Sequence, residues 1–521
     1  MIRYKSEKQP TLEGVERVFE TKLVGDNRWE KLSEVIPWDE MADAYYKSLT
    51  VGMGRPAKDA RLVIGAVIIK HKLKLSDEET IEQIRENPYL QYFVGFSEFQ
   101  KEAAFSPTLF VEIRRRMGEE VFEEFNRAIL KRMEVAVKKR EDDDEDDSGK
   151  GGPEKDPGSA VRGEIEILKG RVILDATVPE QAIKYPTDLD LLNESREIAE
   201  QIIDILQSEI GGAEKPRTYR QVARKKYLAV VKRRKASYKI IRQGVKEQLQ
   251  YVRRNLKYIN GLLDATGTPA IPLSRKMLRK YWIIQHLYAQ QELMYRTKEK
   301  RCDDRIVSIH QPQVRPIIRG KANKKVEFGA KIGVSMRDGM ASVDRINWDA
   351  YHEGEDLIPQ VEAYKERYGY YPKTVTADPS YGTRANRQAM KERGIRFAGK
   401  PLGRPPKEMP ENKERLKEAK KQATKDYRQR IPIEGKFGQG KNGYGLDYIR
   451  AKTARTSEAW IRSIFLVMNL IVFEKMIFWL VKIAMSIGSN LENRLFPANI
   501  SPTYHYLSER WLLGGSKELS F

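Results

Sequence analysis

At 521 residues and 40% hydrophobic content, the chain is long enough for two to four domains with real cores. Its 95 Lys and Arg outnumber 74 Asp and Glu, a net charge of +21 even though seven acids stand in one run at 141–147. Such an excess points to a polyanionic partner, nucleic acid ahead of a membrane surface, while the lone Cys302 excludes an intrachain disulfide or a cysteine-built zinc site. The five histidines show no metal spacing, and both features fit a reducing cytoplasm.

The opening MIRYKSEKQP lacks an apolar region, so no signal peptide is expected. Residues 1–138 read as a helical domain. An apolar pattern over 57–72 predicts one helix. Ser76-Asp77-Glu78-Glu79 is a capping box that starts a second. Ser106-Pro107 predicts an N-cap and first-turn proline for a third, over 108–117, which ends in Arg114-Arg115-Arg116. Short helices with tight joints and a basic last helix fit a helix-turn-helix reader of DNA. A small bundle with a solvated basic edge fits equally well. Residues 139–163 are acidic, rich in Gly and Pro and nearly free of apolar side chains, which predicts a disordered linker.

Residues 164–188 hold a buried strand, RVILDAT, that ends near Asp175. On its own this aspartate reads equally as a turn or capping residue. Residues 189–300 then interrupt the sheet. An amphipathic helix over 191–210, a long helix over 218–263 and a third over 274–298 predict a helical hairpin or three-helix insertion. The second carries a stripe of Ile241, Val245, Gln248, Val252, Leu256 and Ile259. Between 215 and 258 stand sixteen Lys or Arg against one acid, Glu247. Arg224, Lys225, Lys232, Arg233 and Arg234 are candidate phosphate-backbone contacts there, since a merely solvated helix mixes its charge signs.

The sheet resumes in 301–491. The stretches 326–336 and 342–347 predict an antiparallel hairpin that turns at Arg337-Asp338-Gly339, then a helix over 354–368 follows. PKTVTAD is a strand that ends in Asp378, with a helix over 384–393 and a short strand over 395–398 behind it. Arg404 and Lys407 lie in a basic Gly/Pro loop that suits DNA contact, or plain solvation. The apolar stretch 460–485 is broken by Arg462, Glu474, Lys475 and Lys482, which predicts a buried core helix rather than a membrane span. Residues 492–521 read as a tail.

The chemistry concentrates in Asp426–Lys441, DYRQRIPIEGKFGQGK, expected to be helical at its start. Arg430 and Glu434 lie one helical turn apart, on one face. A carboxylate beside fixed cations suits a place where a metal and a phosphate are held together. The predicted order is strand with Asp175, helical insertion, two strands, helix, strand with Asp378, helix, strand, helix with Glu434. Without the insertion this is the order of an α/β RNase H-like core, a mixed sheet flanked by helices, preceded by an all-α N-terminal domain. It would gather the three acids at one edge of the sheet.

Tyr427, Arg430, Glu434 and Lys441 match the Tyr-x2-Arg-x3-Glu-x6-Lys signature, and the chain thereby resembles the bacterial insertion-sequence transposases of the DDE type. GRPAKDARLVIGAVIIKHKLKLSDEETIEQIRENPYLQYFVGF resembles their N-terminal domain, and ATVPEQAIKYPTDLDLLNESRE and TADPSYGTRANRQAM resemble the segments around their first two catalytic acids. The resemblance implies that Asp175, Asp378 and Glu434 are catalytic and hold two Mg2+ or Mn2+ ions. Tyr427, Arg430 and Lys441 would contact DNA. It also implies binding of double-stranded terminal inverted repeats, cleavage at the element ends, joining of the 3′-OH to target DNA, and a homodimer with no membrane role. The large insertion after the first acid departs from better-known members, which carry theirs before the Glu. Two other readings stay open: an RNase H-like nuclease that cuts without joining, and a non-catalytic DNA-binding relative.

Overall fold

The computed structural model describes residues 26–49, 57–145, 168–210, 215–265, 271–318, 326–403, 406–407 and 409–487, with residue 23. Most of the expected linker, Arg404 and the expected tail lie outside them.

Seven helices open the described chain: α1 Arg28–Val35, α2 Trp38–Lys47, α3 Ala60–Leu73, α4 Asp77–Glu86, α5 Pro88–Phe93, α6 Leu109–Arg116 and α7 Glu119–Glu145. The capping box forms at α4: Ser76 Oγ accepts from the Glu79 N–H at 3.0 Å, and Glu79 Oε2 accepts from the Ser76 N–H at 2.7 Å. The α6 helix starts at Leu109, later than the Ser106 cap predicts, because the Leu109 N–H first closes a turn onto the Ser106 carbonyl. The α7 backbone continues to Glu145, so the acidic run begins inside a helix instead of a linker.

The sheet is mixed and five-stranded among the described residues. In chain order the strands are β1 Arg171–Thr177, β2 Arg315–Ile318, β3 Val326–Gly329, β4 Lys331–Arg337, β5 Met340–Asn347, β6 Thr374–Ala377 and β7 Arg396–Ala398. The order across the sheet is β5-β4-β1-β6-β7, with β2 and β3 paired apart as a ribbon. Strand β1 is antiparallel to β4 and parallel to β6. This order is consistent with the expected RNase H-like core. The predicted strand over 326–336 divides at Ala330 because its first half pairs with β2. Asp338 (φ +50°) and Gly339 (φ +81°) are both left-handed, as a two-residue hairpin loop requires.

Alternation along β1 separates two cores. Val172 and Leu174 pack with Leu357, Val361 and Tyr364 of α12 (Leu357–Tyr368), and with Met390 of α13 (Arg384–Glu392). Ile173 faces the other side, with Ile433 and Phe437 of α14 (Lys413–Tyr444) and Ile461, Ile464 and Phe465 of α15 (Ala454–Ile487). The opposite face of α15 belongs to the N-terminal helices: Leu466, Val467, Leu470 and Phe473 join the cluster of Trp38, Ile68, Phe110 and Phe125. Helix α15 is apolar all round because it is buried on two sides. Over 454–481 it is long and apolar enough to cross a membrane, which the charge spacing did not suggest.

Among the described residues the insertion holds four helices, not two or three: α8 Asp188–Ile210, α9 Arg220–Val231, α10 Tyr238–Ala265 and α11 Arg275–Thr297. The predicted long helix breaks over 232–237, where four cations in a row offer nothing apolar to bury. Contacts between α9 and α10 run in opposite sense. Thr218 O receives Arg254 Nη2, Ala223 O receives Gln248 Nε2, and Val230 lies over Gly244. Arg220 meets Asp204 and Tyr227 meets Asp190, so α9 also opposes α8. Tyr281 meets Asn260 and Arg242 meets the Tyr295 carbonyl, so α11 opposes α10. The result is an up-down-up-down bundle with its own core around Leu192, Ile202, Val252 and Ile284. Ile241, placed in the predicted stripe, is 42% exposed.

Candidate active site

Parallel pairing of β1 with β6 sets Leu174 beside Ala377, so the next residues, Asp175 and Asp378, follow as neighbours. Asp175 is not a cap. It sits within β1 opposite Val334, and its Oδ1 accepts from the Ala176 N–H at 2.8 Å. Asp378 does cap a short 3₁₀ turn over 379–381, where its Oδ1 accepts from the Ser380 N–H at 3.1 Å. Each aspartate thus spends one oxygen on backbone and turns the other, Oδ2, toward the same point.

That point is Arg430. Its Nη1 lies 3.2 Å from Asp175 Oδ2 and 3.3 Å from Asp378 Oδ2, and its Nη2 lies 2.5 Å from Glu434 Oε1. One planar guanidinium therefore touches all three predicted acids. Among the described residues no three ligating side chains close on a single point by themselves.

The helix that presents Arg430 continues unbroken to Tyr444, past the Gly-rich stretch where its end was expected. Ile433, Lys436, Phe437 and Gly440 face inward, and Ile433 and Phe437 anchor it on the sheet. Positions 427, 430, 434, 438 and 441 step by three and four, so all share the outer face. The four-residue signature is one stripe of a helix. Arg430, Glu434, Gly438 and Lys441 line a cleft of about 770 Å³ with Asp175 and Asp378. A Cβ at Gly438 would meet nothing within 4 Å. Lys441 Nζ stands 3.5 Å from the buried Glu327, and Tyr427 is 63% exposed.

Burial pushes the Asp175 carboxyl up to about 6, against the Ala176 N–H and Arg430, which hold it down. Glu353 and Asp378 add to the rise. Glu353 is a wall residue that sequence reasoning missed. It accepts from Ser380 Oγ at 2.9 Å and pairs with Lys331 at 3.1 Å. The segment that carries it, YHEGED, has no distinguishing pattern, and only the return of the chain after β5 brings it to the cleft.

The remaining predicted contacts divide. Arg224, Lys225, Lys232, Arg233 and Arg234 are exposed on the insertion, and Lys407 is exposed near the start of α14. Arg115 is exposed and paired with Glu112 at 2.6 Å, and Arg116 is exposed. Arg114 requires a correction. It is 7% exposed, forked onto Asp77 at 2.7 and 2.9 Å, with its guanidinium 5.1 Å from the Trp460 ring. The i, i+4 geometry of α6 turns it into the core, where it cannot meet a phosphate.

Residues 375–471 match the family described as Transposase DDE domain, and residues 17–116 match Transposase domain (DUF772). The matches support an insertion-sequence DDE transposase. The first spans Asp378, Glu434 and α15 as far as Ile471, and the second spans α1–α6, helices of the core that packs on the opposite face of α15. The chain is also 35% identical over 161 residues to "Uncharacterized protein ORF8 in nfe locus" of Rhizobium meliloti. That similarity covers 30% of this chain and 64% of the relative. No solved structure matches the chain. DDE transposases in general bind DNA and use divalent metal ions.

Proposed function

We propose that this transposase binds the terminal inverted repeats of its element, cuts DNA at the element ends and joins the 3′-OH to target DNA. The observation that carries the reading is the meeting of Asp175, Asp378 and Glu434 around one cation, Arg430. The donor set fits hard divalent ions, because it consists of carboxylate oxygens that a single positive centre already reaches within 3.3 Å. Two Mg2+ or Mn2+ ions held by these acids would activate the attacking hydroxyl and stabilise the leaving 3′-oxygen.

The chain's own groups have distinct tasks. The backbone N–H groups of Ala176 and Ser380 fix the two aspartates so that Oδ2 of each stays turned into the cleft. Arg430 and Lys441 offer a fork and a point charge to the phosphate backbone on either side of Glu434. Tyr427, at the rim of the stripe, offers a ring on which a displaced base can stack. In the family two copies pair two element ends, and the same pairing is proposed here.

The test is nicking of a labelled duplex taken from the sequence that flanks the element, with Mg2+, with EDTA, and with Glu434→Gln. Metal-dependent cutting at the repeat end, lost in the variant while binding persists, is the expected result. Binding without cutting, equal in variant and wild type, would leave a DNA-binding relative without catalysis.

A further inference from the structure

The cations of the insertion include two contrasting groups. One is spent inside the bundle: Arg220 and Lys215 on Asp204, Lys226 on Glu247, Arg242 over the Tyr295 ring, Arg254 over Tyr219 and Tyr251. The other is Arg224, Lys225, Lys232, Arg234 and Lys235, all exposed. For these, the described residues supply no ion pair.

This second set follows one line. Helix α9 buries only Ala223, and its outer side is a shallow groove lined by Gln221, Arg224, Lys225, Leu228, Ala229 and Lys232. The small apolar floor lets the long side chains lie down and carry their charges to the rim. Arg234 and Lys235 follow in the turn after the helix, both exposed. A helix C-terminus is satisfied by a cation or two near its last carbonyls. A charge row that begins more than a turn earlier and runs beyond the end exceeds what the helix itself can use.

Direction ties the row to the cleft. Val178, just after β1 on the way into the insertion, and Ile317, in the β2 strand that follows it, both line the cleft. Helix α8 climbs away from this root of the insertion, and α9 descends toward it. Tyr227 reaches Asp190 near the start of α8, and Val230 packs by Gly244 beside Leu189. Residues 232–235 therefore lie at the root of the bundle, next to the segment that leads from Asp175. Lys184 of that segment pairs with Asp190, which fixes the segment beside the start of α8.

We infer that the outer face of α9 and the turn after it hold the phosphate backbone of the duplex that is cut in the Asp175 cleft. This inference rests on the transposase reading and deepens it. It assigns the insertion to grip the element-end duplex by charge, without reading bases.

The experiment compares full-length Glu434→Gln protein with the same protein carrying Arg224→Gln, Lys225→Gln, Lys232→Gln and Arg234→Gln. Binding in EDTA is followed by fluorescence anisotropy against salt concentration, and a melting curve confirms that four exposed substitutions leave the fold intact. The probes are the element-end duplex, an unrelated duplex of equal length and a single-stranded RNA. The slope of log K against log salt on the end duplex should fall by about 0.9 for each phosphate that the protein no longer neutralises, roughly 2–4 in all. Hydroxyl-radical footprints on that duplex should lose protection to one side of the cleavage point only. An unchanged slope and footprint would overturn the inference. So would a loss confined to the RNA, or one seen only when unrelated duplex is captured as target. Because binding needs no cleavage, a fallen slope in a chain that never cuts would retain the surface and remove the catalytic reading.

Discussion

Arg430 is the residue on which the three acids converge, and its geometry gives a sharp expectation. A lysine keeps the charge but loses the planar fork, so it can reach one or two of the acids and not all three. Arg430→Lys should lower the single-turnover nicking rate at least tenfold, about 1.4 kcal/mol of barrier. Affinity for the end duplex should change only a few-fold. An equal loss of binding and cutting would show that Arg430 acts through DNA affinity alone. Arg114 shows the opposite case: three arginines in a row are chemically alike, yet the helix sends one of them inward to Asp77 and leaves the others outside.

At the scale of elements, the N-terminal helices are tied by a buried charge cluster. Asp77, at the first turn of α4, receives Arg114 from α6 and Lys70 from α3 at 2.9 Å. Lys70 also lies 4.5 Å from the Trp460 ring of α15. Burial works to raise the Asp77 carboxyl, but the hydrogen bonds and charges of Arg114 and Lys70 outweigh it and hold the group below its usual range. A depressed carboxyl contributes stability above the unfolded pKa of about 3.9, and that stability is lost as pH falls through the folded value. Asp77→Asn leaves two buried cations without their anion and should cost about 3–5 kcal/mol at pH 7. Urea unfolding followed by tryptophan fluorescence should show that gap at pH 7, and the gap should close below about pH 4. A gap that persists at low pH would assign the loss to packing instead of charge.

Across the whole molecule, α15 is a shared beam. Its Ile461, Ile464 and Phe465 face the sheet, and its Leu466, Leu470 and Phe473 face the N-terminal helices. A change on one face must therefore be felt on both sides. Leu470 is fully buried, so Leu470→Ala should cost about 2–5 kcal/mol. The near-ultraviolet circular dichroism of the aromatic residues should lose its signal in one transition, shifted down as a unit. Two separate transitions, with only the N-terminal one shifted, would show that the helix does not couple the two halves.

Local sequence was enough to single out the candidate acids and what kind of element each occupies. Buried strands read as continuous apolar runs, the capping box announced α4, and a spacing of three, four and seven marked the Tyr427–Lys441 stripe, because these signals depend only on neighbours along the chain. Even there the helix outran its predicted end, since Ile433 and Phe437 pack on the sheet and hold it through the glycines. Residues far apart in the chain were placed by the folded structure alone. It set Asp175 beside Asp378 by strand register, brought Glu353 into the cleft wall, withdrew Arg114 from the surface and turned α9 back toward the root of its bundle. Those outcomes follow from which apolar faces meet, and a local pattern of charge or periodicity does not specify its partner.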